Sequence, residues 1–219
     1  PNFVPFLGSK SNSRMIAVYA GGLHKWQQPE KTLRSMIAVQ DRCSTYFLSP
    51  DPETAGEIAA DIDPGNTIVF DSMGHDALMR FYRECDFGYI LRENSIVNSV
   101  ACPSKVVEYL ANGIVPIIDS DQIGDFSGMG MRAIAVDDFN AGNIPDRASV
   151  AEMAQFNFSV YQRIKSARDR GAIELSNYLS GTSNASAPQH RDEPHAEVDV
   201  LVQVGNFEAG GLENVVLEL

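Results

Sequence analysis

The stretch DFGYILRENSIVNSVACPSKVVEYLANGIVPII, residues 86–118, sets two short apolar runs on either side of a helical pattern. Residues 87–91 and 115–118 are nearly all apolar, as strands buried on both faces of a sheet are. Between them, residues 104–112 place Val107, Leu110 and Ala111 on one helical face, and Gly113 supplies the C-cap before the next strand. A helix beginning at Ser104 offers unpaired backbone N–H groups and a positive dipole end, to which Ser104 adds a hydroxyl and Lys105 an ammonium. That combination is an anion site. Glu108, four residues after Ser104, falls on the same face about 5–6 Å away. A carboxylate there can accept two hydroxyl hydrogen bonds from a sugar diol.

The same alternation continues outward. Residues 15–19 predict a strand ended by Gly21 and Gly22, and Pro29 opens a helix with Leu33, Met36 and Ile37 on one face. Residues 45–48 are a second strand, followed by Asp51 as N-cap, Pro52 at the first helical position and a helix carrying Ile58. Residues 67–70 are a third. Residues 75–85 then put Ala77, Leu78, Phe81, Tyr82 and Cys85 on one helical stripe. After residue 118, a further strand is expected over 133–136. From 149 to about 179 the pattern is helical, with Val150, Met153, Ala154, Val160, Tyr161 and Ile164 as packing residues and a break near Asn157. The fold class is therefore α/β, a Rossmann-like parallel sheet with helices on both faces. Ligands of such sheets sit at the carboxyl ends of the strands. The loops to watch follow Tyr19, Phe70, Leu91 and Ile118.

The 219 residues are 44% hydrophobic and 21% charged, enough for one substantial core with an incomplete extra piece. The formal net charge of −12 argues against a nucleic-acid surface, because neutralising phosphates requires clustered Lys and Arg. No apolar run approaches the ~20 residues that span a bilayer, and nothing resembles a signal peptide. A cytoplasmic protein without transmembrane segments is expected. Cys43, Cys85 and Cys102 show no CxxC spacing, and His24, His75, His190 and His195 are scattered, so we expect reduced, mostly buried thiols and no metal site. Residues 181–196 are rich in Ser, Ala, Asn, Pro and charge, which reads as a linker between a domain over 1–180 and a new strand, loop and helix over 197–219. Beginning at Pro1 without a methionine and stopping inside an apparent helix, the chain reads as a piece of a longer polypeptide.

The Pro-Ser-Lys step, the Glu-Tyr-Leu-Ala helix, Gly113 and the Val-Pro-Ile strand, in that order, resemble the C-terminal, donor-binding domain of the retaining GT-B glycosyltransferases of group 1 type. YAGGLHKWQQPE resembles the glycine-and-lysine loop that contacts the donor diphosphate in these enzymes. DSDQIGDF resembles a Gly-Ile-Gly-Asp-type segment of one subgroup, and PNFVPF the crossing between the two GT-B domains. The terminal GNFEAGGLENVVLEL resembles the opening of a GT-B N-terminal domain, which would make the parent a tandem of two transferases.

What the resemblance implies is a hexosyltransferase-type enzyme whose substrate is a nucleoside-diphosphate sugar carrying UDP or GDP, with no further cofactor. Glu108 would hold the ribose hydroxyls. Lys25, Lys105 and the Ser104 hydroxyl would meet the diphosphate, and Gly21 and Gly22 would allow close backbone approach. The base would lie near Asp71 to His75, with Ser72 and Met73 as candidate contacts. Many relatives carry a glutamate two helical turns before the ribose-binding one, where this sequence has Val100, so Arg92, Asn98 and Ser99 become the candidate sugar contacts. No residue is assigned as the catalytic group. The acceptor, a glycan or another hydroxyl compound, would be held by a missing N-terminal domain, and the fragment alone would be inactive.

Plainer readings stand beside these. Glu108 reads equally as a solvated helix residue, Lys25 as a lysine lying on Trp26, Arg92 and Glu93 as a loop pair, and Asp125 as a turn cap. At the level of function the alternatives are a nucleotide-sugar epimerase of GT-B type and a non-catalytic nucleotide-binding or scaffold domain. The apolar strand over 198–204 would need a partner and offers a route to self-association.

Overall fold

The computed structural model describes residues 10, 12–93, 103–121 and 123–179. Within them a six-stranded, fully parallel sheet has the order β3-β2-β1-β4-β5-β6. Its strands are β1 (Met15–Ala20), β2 (Cys43–Leu48), β3 (Val69–Asp71), β4 (Phe87–Ile90), β5 (Val115–Ile118) and β6 (Ile134–Ala135). The helices are α1 (Pro29–Ala38), α2 (Pro52–Ala59), α3 (His75–Tyr82), α4 (Ser104–Ala111), α5 (Val136–Asn140) and α6 (Arg147–Leu179), with a short 3-10 turn at Lys25–Gln27. This is the expected Rossmann-like α/β architecture.

Period-2 alternation of β1 divides the core. Ala17 and Tyr19 face one cluster with Leu33, Met36, Phe47, Phe87, Tyr89 and Phe139, beneath α1, α2 and α5. Ile16, Val18 and Ala20 face the other, with Tyr82, Val106, Tyr109 and Leu110, beneath α3 and α4. At the amino edge the buried Asp86 fixes β4 against β1: its Oδ2 accepts from Ile16 N at 2.8 Å and its own N–H donates to the Ile16 carbonyl at 2.9 Å.

Local chemistry sets the element ends. Asp51 Oδ1 accepts from Thr54 N at 3.0 Å and caps α2 as expected, while Asp146, accepting from Ser149 N at 2.8 Å, starts α6 two residues before the expected position. Gly113, with φ of 66°, follows α4, and Ile114 N closes on the Tyr109 carbonyl at 3.0 Å, the six-to-one bond of a Schellman end. The break expected near Asn157 does not occur, and α6 is continuous. Asn157 is fully buried, and its amide accepts from Arg132 N and donates to the Arg132 carbonyl, both at 2.7 Å. A polar side chain that looked like a helix breaker is instead the tie for a neighbouring loop. By compactness the chain divides into Pro1–Lys165 and Ser166–Leu219, and of the second unit the described part is the end of α6, where Ile173 and Leu175 are exposed. The linker over 181–196 and the strand, loop and helix over 197–219 lie outside the described residues, as do Asn98, Ser99, Val100 and Cys102.

Candidate functional site

The strand order reverses direction between β1 and β4, so the loops that leave their carboxyl ends part and open a crevice. A cavity of about 300 Å³ lies at this edge, walled by Gly21 and Gly22 after β1, Leu48 at the end of β2 with Ser49 and Pro50 after it, Ser72 and Met73 after β3, Leu78 of α3 and Lys105 of α4. Five of the residues singled out from the sequence, Gly21, Gly22, Ser72, Met73 and Lys105, thus share one cavity. They come from three separate segments. The β2 loop had no motif to mark it, and only the strand order reveals that it stands between the other two.

The glycine turn is held tightly. Gly21 N donates to the Leu48 carbonyl at 3.0 Å, and the Tyr19 hydroxyl donates to the Gly22 carbonyl at 2.6 Å. A Cβ on Gly21 would stand 2.8 Å from the Tyr19 hydroxyl oxygen, closer than real contacts allow, so any larger residue there would displace that hydroxyl from its bond to Gly22. Burial drives the Tyr19 hydroxyl well above its ordinary pKa, against a lowering by the Arg92 charge.

On α4, Ser104 is exposed at the helix start. Lys105 Nζ lies 3.3 Å from Glu108 Oε2 and 5.9 Å from the centre of the Tyr82 ring. Glu108 is mostly buried, and its Oε2 has no hydrogen-bond partner among the described residues, the lysine approaching it as a charge rather than along a hydrogen-bond direction. The Tyr82 and Tyr109 hydroxyls beneath are likewise buried and make no hydrogen bond of regular geometry among the described residues, although the two interact with each other. Burial pushes both well above the ordinary tyrosine range, and the Glu108 charge adds to it. Lys105 lines the cavity and pairs with Glu108, which brings a positive charge to the cavity wall with a carboxylate directly behind it.

Two expected residues go elsewhere. Lys25 lines a different cavity of about 840 Å³ with Leu23, Gln28, Lys31, Arg34 and Glu93. Arg92 covers Trp26, its guanidinium carbon 4.9 Å from the ring centre. Arg92 is half-buried by this stacking, and its backbone N–H donates to Asp119 Oδ1 at 3.2 Å, so it is not a solvated loop residue. Asp119, just beyond β5, is a residue the sequence reading left without a role. Its Oδ2 also receives Gln28 Nε2 at 2.7 Å and the Lys31 ammonium at 3.3 Å. The thiols of Cys43 and Cys85 are free and buried, and burial pushes Cys43 up to about 11. Among the described residues no group of three or more His, Cys, Asp and Glu is placed to hold a metal, and no helix is long and apolar enough to cross a membrane.

No family model matches the chain, and no curated protein sequence matches it. Solved structures do. The GtfA/B complex superposes on 82% of this chain with a TM-score of 0.55 at 12% identity. TarM of S. aureus, solved as a mutant with fondaparinux, α-GlcNAc-glycerol and UDP, covers 82% at 0.52 and 8% identity. A glycosyltransferase of Rickettsia africae covers 78% at 0.51 and 10% identity. This chain spans 38%, 38% and 49% of their respective lengths. At such identities the likeness is one of fold. The fold of this chain is that of a GT-B glycosyltransferase domain.

Proposed function

We infer that this domain binds a nucleoside-diphosphate sugar and presents it for transfer of the sugar to an acceptor held by another domain. The observation that carries this reading is the convergence of Gly21, Gly22, Ser72, Met73 and Lys105 on one cavity at the switch point of the sheet. Lys105 and the N-terminus of α4 would face the diphosphate, Glu108 the ribose diol, and the post-β3 residues Ser72 and Met73 the base. In the transfer the bond from the anomeric carbon to the diphosphate oxygen breaks and one to the acceptor oxygen forms. Negative charge then grows on the diphosphate, where Lys105 and the helix end oppose it. The acceptor's proton leaves to a group outside this set, and no residue here is assigned that role.

The UDP in the TarM structure makes UDP and its sugars the first ligands to try, with GDP, ADP and CMP and their conjugates beside them. Thermal unfolding should show the folded chain stabilised by one nucleotide and its sugar conjugate. If none of the four nucleotides shifts the transition at millimolar concentration, the reading is wrong and the domain acts without a nucleotide.

A further inference from the structure

The two glutamines that end the glycine loop face opposite ways. Gln28 has φ of 51° and ψ of 53°, a left-handed conformation that a non-glycine residue holds only when its surroundings fix it. What fixes it is Asp119: Gln28 Nε2 donates to Oδ2 at 2.7 Å, Lys31 Nζ stands 3.3 Å from the same oxygen, and Arg92 N donates to Oδ1 at 3.2 Å. The carboxylate is only 8% exposed, so these contacts are shielded from water. One side chain therefore joins the end of the glycine loop, the first turn of α1 and the start of the post-β4 loop.

Gln27, held by the same bend, lays its amide across the glycine turn instead. A Cβ on Gly22 would stand 3.0 Å from Gln27 Oε1, and one on Gly21 would stand 3.4 Å from Gln27 Nε2. Both glycines line the candidate donor cavity. Gln27 Oε1 is buried and has no hydrogen-bond partner among the described residues. A buried acceptor without a donor is unfavourable, and a ligand seated in the cavity that both glycines line would bring donors to this turn. Ionised phosphate oxygens carry no proton to give it. Sugar hydroxyls do.

We propose that Gln27 is a specificity-determining residue of this site, its amide oxygen accepting a hydroxyl of the donor's sugar, and that Asp119, through Gln28, is the residue that positions it. The proposal rests on the donor-binding reading above. Its test is calorimetric titration of the full 219-residue chain with UDP and UDP-glucose and with GDP and GDP-mannose, reading the ratio of sugar-nucleotide to nucleotide affinity. In a folded Gln27→Leu variant the nucleotide alone should bind within about twofold of wild type, while the ratio falls about five- to tenfold, as loss of a single hydrogen bond implies. Asp119→Ala should lower the same ratio and Asp119→Asn restore part of it. A ratio unchanged in Gln27→Leu for both nucleotide pairs overturns the role of Gln27, and so does a loss confined to the nucleotide. Equal weakening of nucleotide and sugar nucleotide in Asp119→Ala shows that Asp119 acts on the fold alone. If the wild-type chain binds no nucleotide, the donor reading falls first and this inference falls with it.

Discussion

Glu108 and Lys105 stand 3.3 Å apart, yet they would act on different parts of a nucleotide, and this makes them separable. Glu108→Gln keeps the shape of a helix residue but loses a charge-assisted hydrogen bond worth about 1.5–3 kcal/mol, so affinity for a nucleoside and for its diphosphate should fall alike, by roughly tenfold to a hundredfold. Lys105→Ala should weaken the diphosphate far more than the nucleoside. A folded Glu108→Gln variant that binds the nucleotide as wild type does would remove Glu108 from the site. Asp63 tests a different kind of carboxylate, one that serves the fold. Burial would raise its pKa, but the N–H groups of Thr67 and Ile68 and the Thr67 hydroxyl outweigh this and hold it below the usual carboxylate range, with Ile68 N at 2.8 Å and Thr67 Oγ1 at 2.9 Å. A depressed pKa means that its stabilisation is fully present above the unfolded value near ~3.9 and is lost as pH falls through the lower folded value. Asp63→Asn should cost about 1–3 kcal/mol in urea unfolding at pH 7. The gap between variant and wild type should narrow below pH 4, and a constant gap from pH 7 to pH 2 would show that its charge is not what the loop uses.

At the scale of elements, β4 and α4 meet at Gly88 and Tyr109. A Cβ on Gly88 would fall 2.3 Å from the Tyr109 ring, which is fully buried and packs edge-on against Tyr82 at 5.3 Å between centres. Gly88→Ala should therefore destabilise the domain by about 1–3 kcal/mol through overpacking. Tyr109→Phe removes a hydroxyl whose contact with Tyr82 falls short of regular hydrogen-bond geometry and should change stability by less than about 1 kcal/mol. Chemical denaturation measures both, and a Tyr109→Phe variant weakened by more than about 1 kcal/mol would mean that the hydroxyl is bonded after all. These elements also show what was legible beforehand. The strand over 115–118 and the helix starting at Ser104 were readable to the residue because proline, glycine and an apolar period mark their ends. β3 was not: Val69 and Asp71 are exposed on a sheet edge, so the strand has no buried pattern to announce it and lies two residues beyond the expected start. Within the site, the glycine turn and the Lys105–Glu108 helix carry motifs. The Asp119–Gln28 bond joins residues 91 positions apart, and only the sheet order brings them together.

For the whole molecule, ligand binding and turnover should separate. The cavity is walled by β1, β2 and β3 loops with α3 and α4, all within the Pro1–Lys165 unit, so on the donor-binding reading this chain is expected to bind a nucleotide by itself. Transfer needs more. The solved structures that share the fold are longer, this chain spanning only 38% to 49% of them, and on the donor-binding reading the residues assembled here include a charge to meet a leaving diphosphate but no assigned group to take the acceptor's proton. A binding nucleotide present at about one hundred times its dissociation constant stabilises the folded state by roughly 2.7 kcal/mol. In a domain of this size that is a rise of about 5–10 °C in the unfolding midpoint, growing with the logarithm of ligand concentration. The same preparation, incubated with the sugar nucleotide and simple glycan or glycerol acceptors, should release no nucleoside diphosphate above the blank and form no glycoside. Stabilisation without turnover is the expected pair of results. Acceptor-dependent release of nucleoside diphosphate by the 219-residue chain would show that these residues alone suffice for transfer.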